Sequence, residues 1–345
     1  MVRSARQSAS RTTQDLCDTP ETTQWDAPAA PSMCAPCDSV TLAPAARRGA
    51  SSPVMVLATE APTIARPDKR RGHIIDVLIE ERAPKLAATP VWPLIRPPLY
   101  AMLGYRRARR MADAIAAMPG RAALDFASEL LSLQVTTRGL ERLPRQGRFV
   151  LIANHPTGVA DGVAVYDVVR PIRPDVMFYA NADAHRIAPR FDEVLIPVEW
   201  LEERRTREKA RQTLAMTREA MEAERPLVIF PAGRIARRGP DGLLADPPWA
   251  PSAWSVARKY DAPIAPVHLA GPWSTLFHFF DGVSKELRDV TVFHELLNKR
   301  GGRFALTVGP LIPPDAFHGE APELTLRLKH YIEGVLPAEP DRPFA

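Results

Sequence analysis

One short stretch constrains this chain more than any other: an apolar run, Phe149 to Ala153, that stops abruptly at Asn154-His155-Pro156. An uninterrupted apolar run of this length, bounded by turn residues, predicts a buried strand. The Pro-Thr-Gly sequence that follows predicts a turn, and Asp161 lies where the first turn of a helix should begin. The pattern therefore predicts a histidine at the end of a buried strand, with a carboxylate shortly after it.

The spacing of His155 and Asp161 admits two interpretations. The two residues can meet only if the Pro156–Gly158 loop folds the chain back. In that case the carboxylate can orient the imidazole as a general base. Otherwise the stretch is an ordinary strand-to-helix turn, with a surface histidine and an aspartate that favours the helix dipole. This stretch by itself favours neither interpretation.

The rest of the chain alternates short apolar runs with helical patterns. Besides Phe149–Ala153, strands are predicted at Gln134–Thr137, Asp175–Ala180, Val194–Val198, Leu227–Phe230, Pro263–Leu269 and Arg303–Val308. Helices are predicted at Gly72–Leu86, Met111–Leu133, Gly162–Val169, Leu201–Glu224 and Glu286–Lys299. This alternation predicts an α/β fold with a largely parallel central sheet flanked by helices.

Such a sheet usually binds ligands at the carboxyl ends of its strands. Asn154 and His155 follow one predicted strand, and Ala232, Gly233 and Arg234 follow another, so both groups should lie at that edge. His268 lies inside an apolar strand and is predicted to be a hydrogen-bonded core residue. Arg237 and Arg238 are predicted to form a solvated basic face.

The first part of the chain has a different composition. Residues 1–67 are rich in Pro, Ser, Thr and Ala, which predicts a disordered tail. All three cysteines, Cys17, Cys34 and Cys37, lie in it, and no second Cys or His pair stands nearby to complete a zinc site. No metal site is expected, and the polar start Met1–Arg11 does not resemble a secretory signal.

Residues 68–133 are predicted to be a helical, basic segment at a membrane surface, followed by an α/β domain over residues 134–335. From Ile64 to Arg110 there are 11 basic and 4 acidic residues, a local charge of +7. No run is long and apolar enough for an ordinary transmembrane helix. Aromatic residues beside arginines instead suit a membrane surface, whereas the alternative is a helix packed on the domain. The apolar residues proposed for membrane contact are Trp92, Leu94, Ile95, Leu99, Tyr100 and Leu103, and the basic ones are Arg106, Arg107, Arg109 and Arg110.

Four short blocks, taken in order, resemble the glycerophospholipid acyltransferases of bacterial lipid synthesis. The first is Asn154-His155 with Asp161, and the third is Phe230-Pro231-Ala232-Gly233-Arg234. Leu195–Val198 resembles the second block of that family and Ala265–Leu269 the fourth. The resemblance spans roughly Gln134 to Pro314.

Two departures from the usual family pattern point to a branch. Five residues separate His155 from Asp161 where the family usually has four, and Ala232 replaces the usual Glu of Phe-Pro-Glu-Gly. Both features resemble the hemolysin-like acyltransferases, which include lyso-ornithine lipid O-acyltransferases. Glu295–Gly301 also resembles that branch.

The resemblance implies transfer of a fatty acyl group from an acyl thioester, either acyl-CoA or acyl carrier protein, to a lysolipid hydroxyl. Lysophosphatidate and lyso-ornithine lipid are the implied acceptors, and no other cofactor is implied. His155 would be the general base and Asp161 its orienting acid. The residues implied to bind substrate are Asn154, Gly158, Phe230, Pro231, Gly233 and Arg234, with backbone amides around Ala232 and Gly233 as candidate oxyanion donors and Arg234 as the anion-binding group.

Other functions remain as alternatives. A non-catalytic lipid-binding relative would suit the missing Glu and the longer loop. A nucleic-acid-binding protein would use the basic segment but would leave the His155 and Gly233 blocks unexplained, so no nucleic-acid partner is expected. The leading interpretation predicts a cytoplasmic enzyme of phospholipid metabolism, bound peripherally to anionic lipid on the inner face of the cytoplasmic membrane.

Overall fold

The computed structural model describes residues 72–199, 202–239, 242 and 244–345. The predicted disordered tail and the three cysteines lie outside the described residues. The seven predicted strands all lie within the described part of the chain.

Among the described residues, a seven-stranded sheet forms the centre of the fold. Its strand order is β1-β9-β8-β2-β5-β3-β4. Neighbouring strands run parallel except β8 and β9, which are antiparallel. The predicted α/β class is therefore confirmed. The strands are β1 (Gln134–Arg138), β2 (Val150–Ala153), β3 (Met177–Asn181), β4 (Leu195–Val198), β5 (Leu227–Ile229), β8 (Ile264–Ala270) and β9 (Arg303–Val308), and the remaining two, β6 (Arg237–Arg238) and β7 (Leu244–Ala245), form a separate hairpin.

The strand β2 lies at the middle of the sheet, and all of its residues are buried. Successive side chains of a strand point to opposite faces, so an uninterrupted apolar run fits a strand covered on both sides. Leu151 and Ala153 belong to the core on one face, which α5 (Gly120–Leu131) and α6 (Val159–Val169) cover. Val150 and Ile152 belong to the core on the other face, beneath α8 (Arg207–Glu222), α9 (Ser252–Lys259) and α13 (Ala321–His330).

The helices connect the strands and cover both faces of the sheet. They are α1 (Ile74–Arg82), α2 (Pro84–Ala87), α3 (Trp92–Met102), α4 (Tyr105–Ile115), α5 (Gly120–Leu131), α6 (Val159–Val169), α7 (Asp183–Ile187), α8 (Arg207–Glu222), α9 (Ser252–Lys259), α10 (Thr275–Val283), α11 (Lys285–Asp289), α12 (Val292–Leu297) and α13 (Ala321–His330).

All five predicted helices have different bounds in the structure: Gly72–Leu86 is divided into α1 and α2, and the helix predicted from Gly162 already begins at Val159. The helix predicted over Met111–Leu133 is two helices, because Pro119 has an extended ψ of 148° and begins a new helix at Gly120. The helix predicted from Leu201 begins at Arg207, where the Thr206 side chain accepts the amide hydrogen of Lys209 as an N-cap.

The helix predicted over Glu286–Lys299 is also divided in two. The hydroxyl of Thr291 donates to the carbonyl of Arg288 at 2.7 Å, and α12 starts after it. A side chain that bonds to a nearby carbonyl competes with the helix for that group.

The first four helices pack together and against α12 through a third apolar core. Part of the predicted membrane contact is therefore wrong. Four of its apolar side chains are buried inside this core and cannot reach a lipid surface: Trp92, Leu99, Tyr100 and Leu103.

Other residues of the predicted membrane segment are exposed. Leu94 is 79% exposed and Ile95 36%, and the four arginines of α4 are exposed as well. None of the described helices is long and apolar enough to cross a membrane.

Candidate functional site

Three neighbouring strands, β5, β2 and β8, bring their carboxyl ends together at one edge of the sheet. Asn154 and His155 follow β2, Phe230 to Arg234 follow β5, and residues 271–274 follow β8. The two groups that were predicted to lie at this edge are thus brought together by parallel pairing.

Asn154 joins the ends of β2 and β8. Its Nδ2 donates to the carbonyl of Leu269 at 2.9 Å, and its Oδ1 accepts the amide hydrogen of Leu269 at 2.7 Å. The side chain is buried. This geometry favours a positioning role for Asn154, next to His155, over the substrate contact that the resemblance implied.

His155 and Asp161 meet because the Pro156–Gly158 loop folds the chain back. The distance from His155 Nδ1 to Asp161 Oδ2 is 3.0 Å, with the carboxylate fully buried and the imidazole 16% exposed. The two atoms are within ion-pair range, although the ring nitrogen is not aligned for a hydrogen bond. Hydrogen bonds of catalytic groups are often poorly aligned before substrate binds.

Asp161 is held firmly by the loop that precedes it. Its Oδ2 accepts the amide hydrogens of Thr157 at 2.9 Å and Gly158 at 3.0 Å, and its Oδ1 accepts the hydroxyl of Thr157 at 2.5 Å. A carboxylate in the first turn of α6 also gains from the helix dipole. The acid is therefore fixed in place before any ligand binds, with one oxygen turned toward His155.

Gly158 makes this loop possible. Its φ of +94° with ψ of −143° is a conformation that essentially only glycine adopts. A Cβ added there would lie 2.8 Å from Cδ1 of Ile235. Gly158 thus shapes the loop and donates to Asp161, and these contacts give it a structural part in the site beside the predicted substrate contact.

The imidazole of His155 lies against the ring of Phe230, with 4.6 Å between the ring centroids and an angle of 31° between the planes. Phe230 and Pro231 are buried, and the carbonyl of Pro231 accepts the amide hydrogen of Ala250 at 3.0 Å. Within the described part of the chain, Nε2 of His155 has no hydrogen-bond partner, so this nitrogen is available to a ligand.

Gly233 forms a tight turn after β5. Its φ is +60°, and its amide hydrogen bonds to the carbonyl of Phe230 at 3.0 Å. The amide of Gly233 is therefore already used, which argues against the predicted oxyanion role for this group. Ala232, at the position where the family usually has Glu, packs against the core beneath α8 and α9.

The three arginines that follow this turn differ in their surroundings. Arg234 is exposed, as an anion-binding group should be. Arg238 is also exposed, and its guanidinium carbon lies 4.6 Å from the centroid of the Trp273 ring. Arg237 is half-buried 4.0 Å from Asp281, and burial together with Arg288 lowers its pKa, so the predicted solvated face is wrong for this residue.

The structure adds Asp246 to the site. Both of its carboxylate oxygens accept the amide hydrogen of His155, at 3.1 and 3.0 Å, and its Oδ2 also accepts from Nε1 of Trp249 at 3.0 Å. Burial raises the pKa of Asp246 to about 7, an effect that the nearby His155 opposes. Sequence reasoning missed Asp246 because it lies 91 residues from His155, in an irregular stretch before two prolines.

A buried ion pair lies under the loop that follows β8. Glu295 and Lys299 are each 2% exposed, with 3.2 Å between Oε2 and Nζ, and Oε1 of Glu295 accepts the hydroxyl of Ser274 at 2.7 Å. Two residues of the Glu295–Gly301 block thus form a buried ion pair that holds Ser274, in the loop after β8, by a hydrogen bond.

Other polar residues have ordinary structural roles. Nδ1 of His268 lies 2.9 Å from the carbonyl oxygen of Ile332, which confirms the predicted hydrogen bond of this histidine, although the residue is half-buried and not part of the core. Among the described residues, no group of three His, Cys, Asp or Glu side chains is arranged to hold a metal ion.

Residues 134–270 match the family model described as Acyltransferase. The lyso-glycine lipid O-acyltransferase of Phocaeicola vulgatus is 27% identical over 204 residues, covering 56% of this chain and 70% of that protein. The protein of the same name from Bacteroides thetaiotaomicron is 27% identical over 206 residues, covering 56% and 71%. The solved 1-acyl-sn-glycerophosphate acyltransferase PlsC of Thermotoga maritima aligns with a TM-score of 0.40 at 15% identity, covering 77% of this chain and 97% of that chain.

Proposed function

The chain belongs to the glycerophospholipid acyltransferase superfamily, and from this membership and the site around His155 we propose that it moves a fatty acyl group from a thioester to a lysolipid hydroxyl. The contact between His155 Nδ1 and Asp161 Oδ2 at 3.0 Å carries the proposal. The imidazole lies beside this carboxylate at the carboxyl edge of the sheet, where α/β folds bind ligands.

In the proposed reaction, Nε2 of His155 takes the proton of the acceptor hydroxyl. The hydroxyl oxygen attacks the thioester carbonyl carbon, a C–O bond forms, and the C–S bond then breaks. The thiolate leaves and receives the proton from the imidazolium. Asp161 stabilises that imidazolium as the acid of a hydrolase triad does. We propose direct transfer in a ternary complex, with the acceptor hydroxyl as the attacking group.

The acceptor is proposed to be a lysolipid whose headgroup carries a carboxylate or a phosphate. Arg234 is exposed after the turn that follows β5, and its planar guanidinium is suited to a carboxylate or a phosphate. The two relatives are named as acyltransferases of lyso-glycine lipid. We therefore place amino-acid lysolipids, lyso-ornithine lipid included, ahead of lysophosphatidate as the acceptor.

The enzyme is further proposed to work at the inner surface of the cytoplasmic membrane. A lipid acceptor stays in the bilayer while acyl-CoA or acyl carrier protein stays in water, so the site has to lie at the interface. Three apolar side chains of α3, Leu94, Ile95 and Met102, are exposed. With the arginines of α4 they offer an apolar and basic surface that suits anionic lipid.

The test uses the purified full chain with acyl-CoA or acyl carrier protein as donor. Each donor is offered lyso-glycine lipid, lyso-ornithine lipid and lysophosphatidate in mixed micelles, and product is followed by lipid mass spectrometry together with free thiol release. We expect thiol release to match formation of the diacylated product, with His155→Gln as the inactive control. Binding of lysolipid without transfer from either donor would favour the non-catalytic alternative.

A further inference from the structure

The two residues that flank the hairpin of β6 and β7 both form hydrogen bonds with the backbone of His155. The amide hydrogen of Ala236, just before β6, bonds to the carbonyl of His155 at 3.0 Å. The amide hydrogen of His155 in turn bonds to the carboxylate of Asp246, just after β7. The position of the imidazole thus depends on a segment that lies some ninety residues further along the chain.

Asp246 is in turn tied to the end of the chain and to the core. Its own amide hydrogen bonds to Oε1 of Glu333 at 3.0 Å, and Glu333 pairs with Lys329 on α13. Nε1 of Trp249 donates to its carboxylate from the segment before α9. Every oxygen of this carboxylate therefore has a donor, and each donor belongs to a different part of the fold.

The charges around Asp246 are few and opposed. His155 favours the ionised carboxylate, whereas burial and Glu333 disfavour it. Asp246 is 7% exposed and forms no ion pair with a cationic side chain of the described residues, and an ionised carboxylate in such a place is costly to keep in a core. A neutral side chain of the same shape would serve packing equally well, so the position of Asp246 beside the base calls for a functional explanation.

We infer that Asp246 is a positioning residue: its ionised carboxylate fixes the backbone of His155, so that the imidazole stays against Asp161 and turned toward the acceptor hydroxyl. The inference rests on the proposed role of His155 as the general base. A shift of the base by about 1 Å lowers turnover by about a hundredfold in comparable sites. Asp246 is buried and contacts the backbone of His155, so its effect passes through that residue.

The central variant is Asp246→Asn, which keeps the size of the side chain and one acceptor oxygen but removes the charge. We expect kcat to fall about ten- to a hundredfold with KM for the acyl donor unchanged. The ionised fraction of Asp246 rises as pH increases through about 7. The ratio of wild-type to variant kcat should therefore grow between pH 6 and pH 8. Asp315→Asn, at an exposed aspartate, is the matched control.

Two measurements do not depend on activity. In a sample labelled with ¹⁵N-histidine, the His155 amide resonance, identified by its absence in His155→Gln, should shift with a midpoint near pH 7, and Asp246→Asn should remove that component. The melting temperature provides the second. Because burial raises the pKa of Asp246 to about 7, the folded protein loses stability as pH rises from the ordinary range of an aspartate to about 7, and the loss stays constant at higher pH. The Tm of Asp246→Asn relative to wild type should therefore rise from pH 5.5 to pH 8.

A lower kcat with an unchanged or higher Tm at pH 8 supports positioning. An unchanged kcat, or a loss of activity that only follows a loss of folded protein, overturns it. If Asp246→Asn does not fold, Trp249→Phe is used instead, because it removes a single hydrogen-bond donor to the carboxylate. It should also lower kcat. An unchanged kcat of Trp249→Phe overturns the inference as well. A wild-type chain without transferase activity refutes the proposed function, whereas a His155 amide that ignores the titration of Asp246 refutes the inference.

Discussion

Asp161 Oδ2 lies 3.0 Å from Nδ1 of His155 while accepting the amide hydrogens of Thr157 and Gly158. One buried oxygen thus connects the loop geometry to the imidazole. A change in the loop moves the acid, and a change in the acid leaves two amide hydrogens and the imidazole without their partner. The chemistry of the site and the stability of this turn are therefore coupled.

Replacing His155 with Gln should leave the fold intact and lower kcat by about 10²–10⁴-fold, the usual contribution of a general base. His318→Gln, at an exposed histidine, should behave as wild type. Circular dichroism and Tm verify folding, and thioester consumption measures activity. A folded His155→Gln protein with most of its activity would rule out the base assignment.

Replacing Asp161 with Asn should abolish activity and also lower stability. The new amide group would face N–H and O–H donors in a fully buried place, and a buried group left without its partner costs about 1–3 kcal/mol. Urea denaturation measures the loss. Thr157→Val, which removes only the hydroxyl donor, should cost less and keep partial activity, and wild-type stability of Asp161→Asn would show that the loop does not depend on the carboxylate.

Replacing Gly158 with Ala should destabilise the protein by about 1–3 kcal/mol through backbone strain. The contact with Ile235, at 2.8 Å, adds to this cost. Gly104→Ala is the matched control, since Gly104 also has a positive φ of +71° but has no heavy atom within 4 Å of the added carbon. Chemical denaturation measures the free energy of unfolding of both variants. Gly158→Ala should lose clearly more of it than Gly104→Ala.

Replacing Lys299 with Met should cost about 3–5 kcal/mol, because Glu295 would then be a buried charge without its partner. The double variant Lys299→Met with Glu295→Gln should recover much of that loss. Arg218→Met breaks an exposed pair of the same i,i+4 spacing and should change stability by less than about 0.5 kcal/mol. Equal effects of the two single variants would show that the burial of the Glu295–Lys299 pair has no energetic consequence.

Replacing Arg106, Arg107, Arg109 and Arg110 together with Gln should weaken binding to anionic vesicles. Each basic residue near an anionic surface contributes about 1 kcal/mol, so the four together amount to about three orders of magnitude in partition at low salt. Binding of the wild type should itself weaken as salt is added. Vesicle sedimentation measures both effects.

The control for the vesicle experiment removes four positive charges from another part of the surface. The four arginines replaced in it are exposed and lie outside α3 and α4: Arg145, Arg207, Arg211 and Arg218. Their replacement with Gln should leave vesicle binding close to that of the wild type. If both quadruple variants sediment alike, the α4 arginines do not form the membrane contact.

The sequence by itself determined the strands, the α/β class and the two groups of residues at the carboxyl edge. These features are local. An uninterrupted apolar run such as Val150–Ala153 is typical of a strand that is covered on both faces, and the Pro-Thr-Gly sequence shortly after it favours a turn. The order of strands and helices along the chain then restricts the sheet to a largely parallel arrangement.

Only the tertiary structure decided how the site is completed. The contact of Asp246 with His155 joins residues far apart in the chain, and no local pattern encodes such a pair. The same holds for Trp92, Leu99, Tyr100 and Leu103, whose apolar character suits a membrane and a core equally well. Burial is a property of the surfaces that meet, and those surfaces exist only once distant segments have packed together.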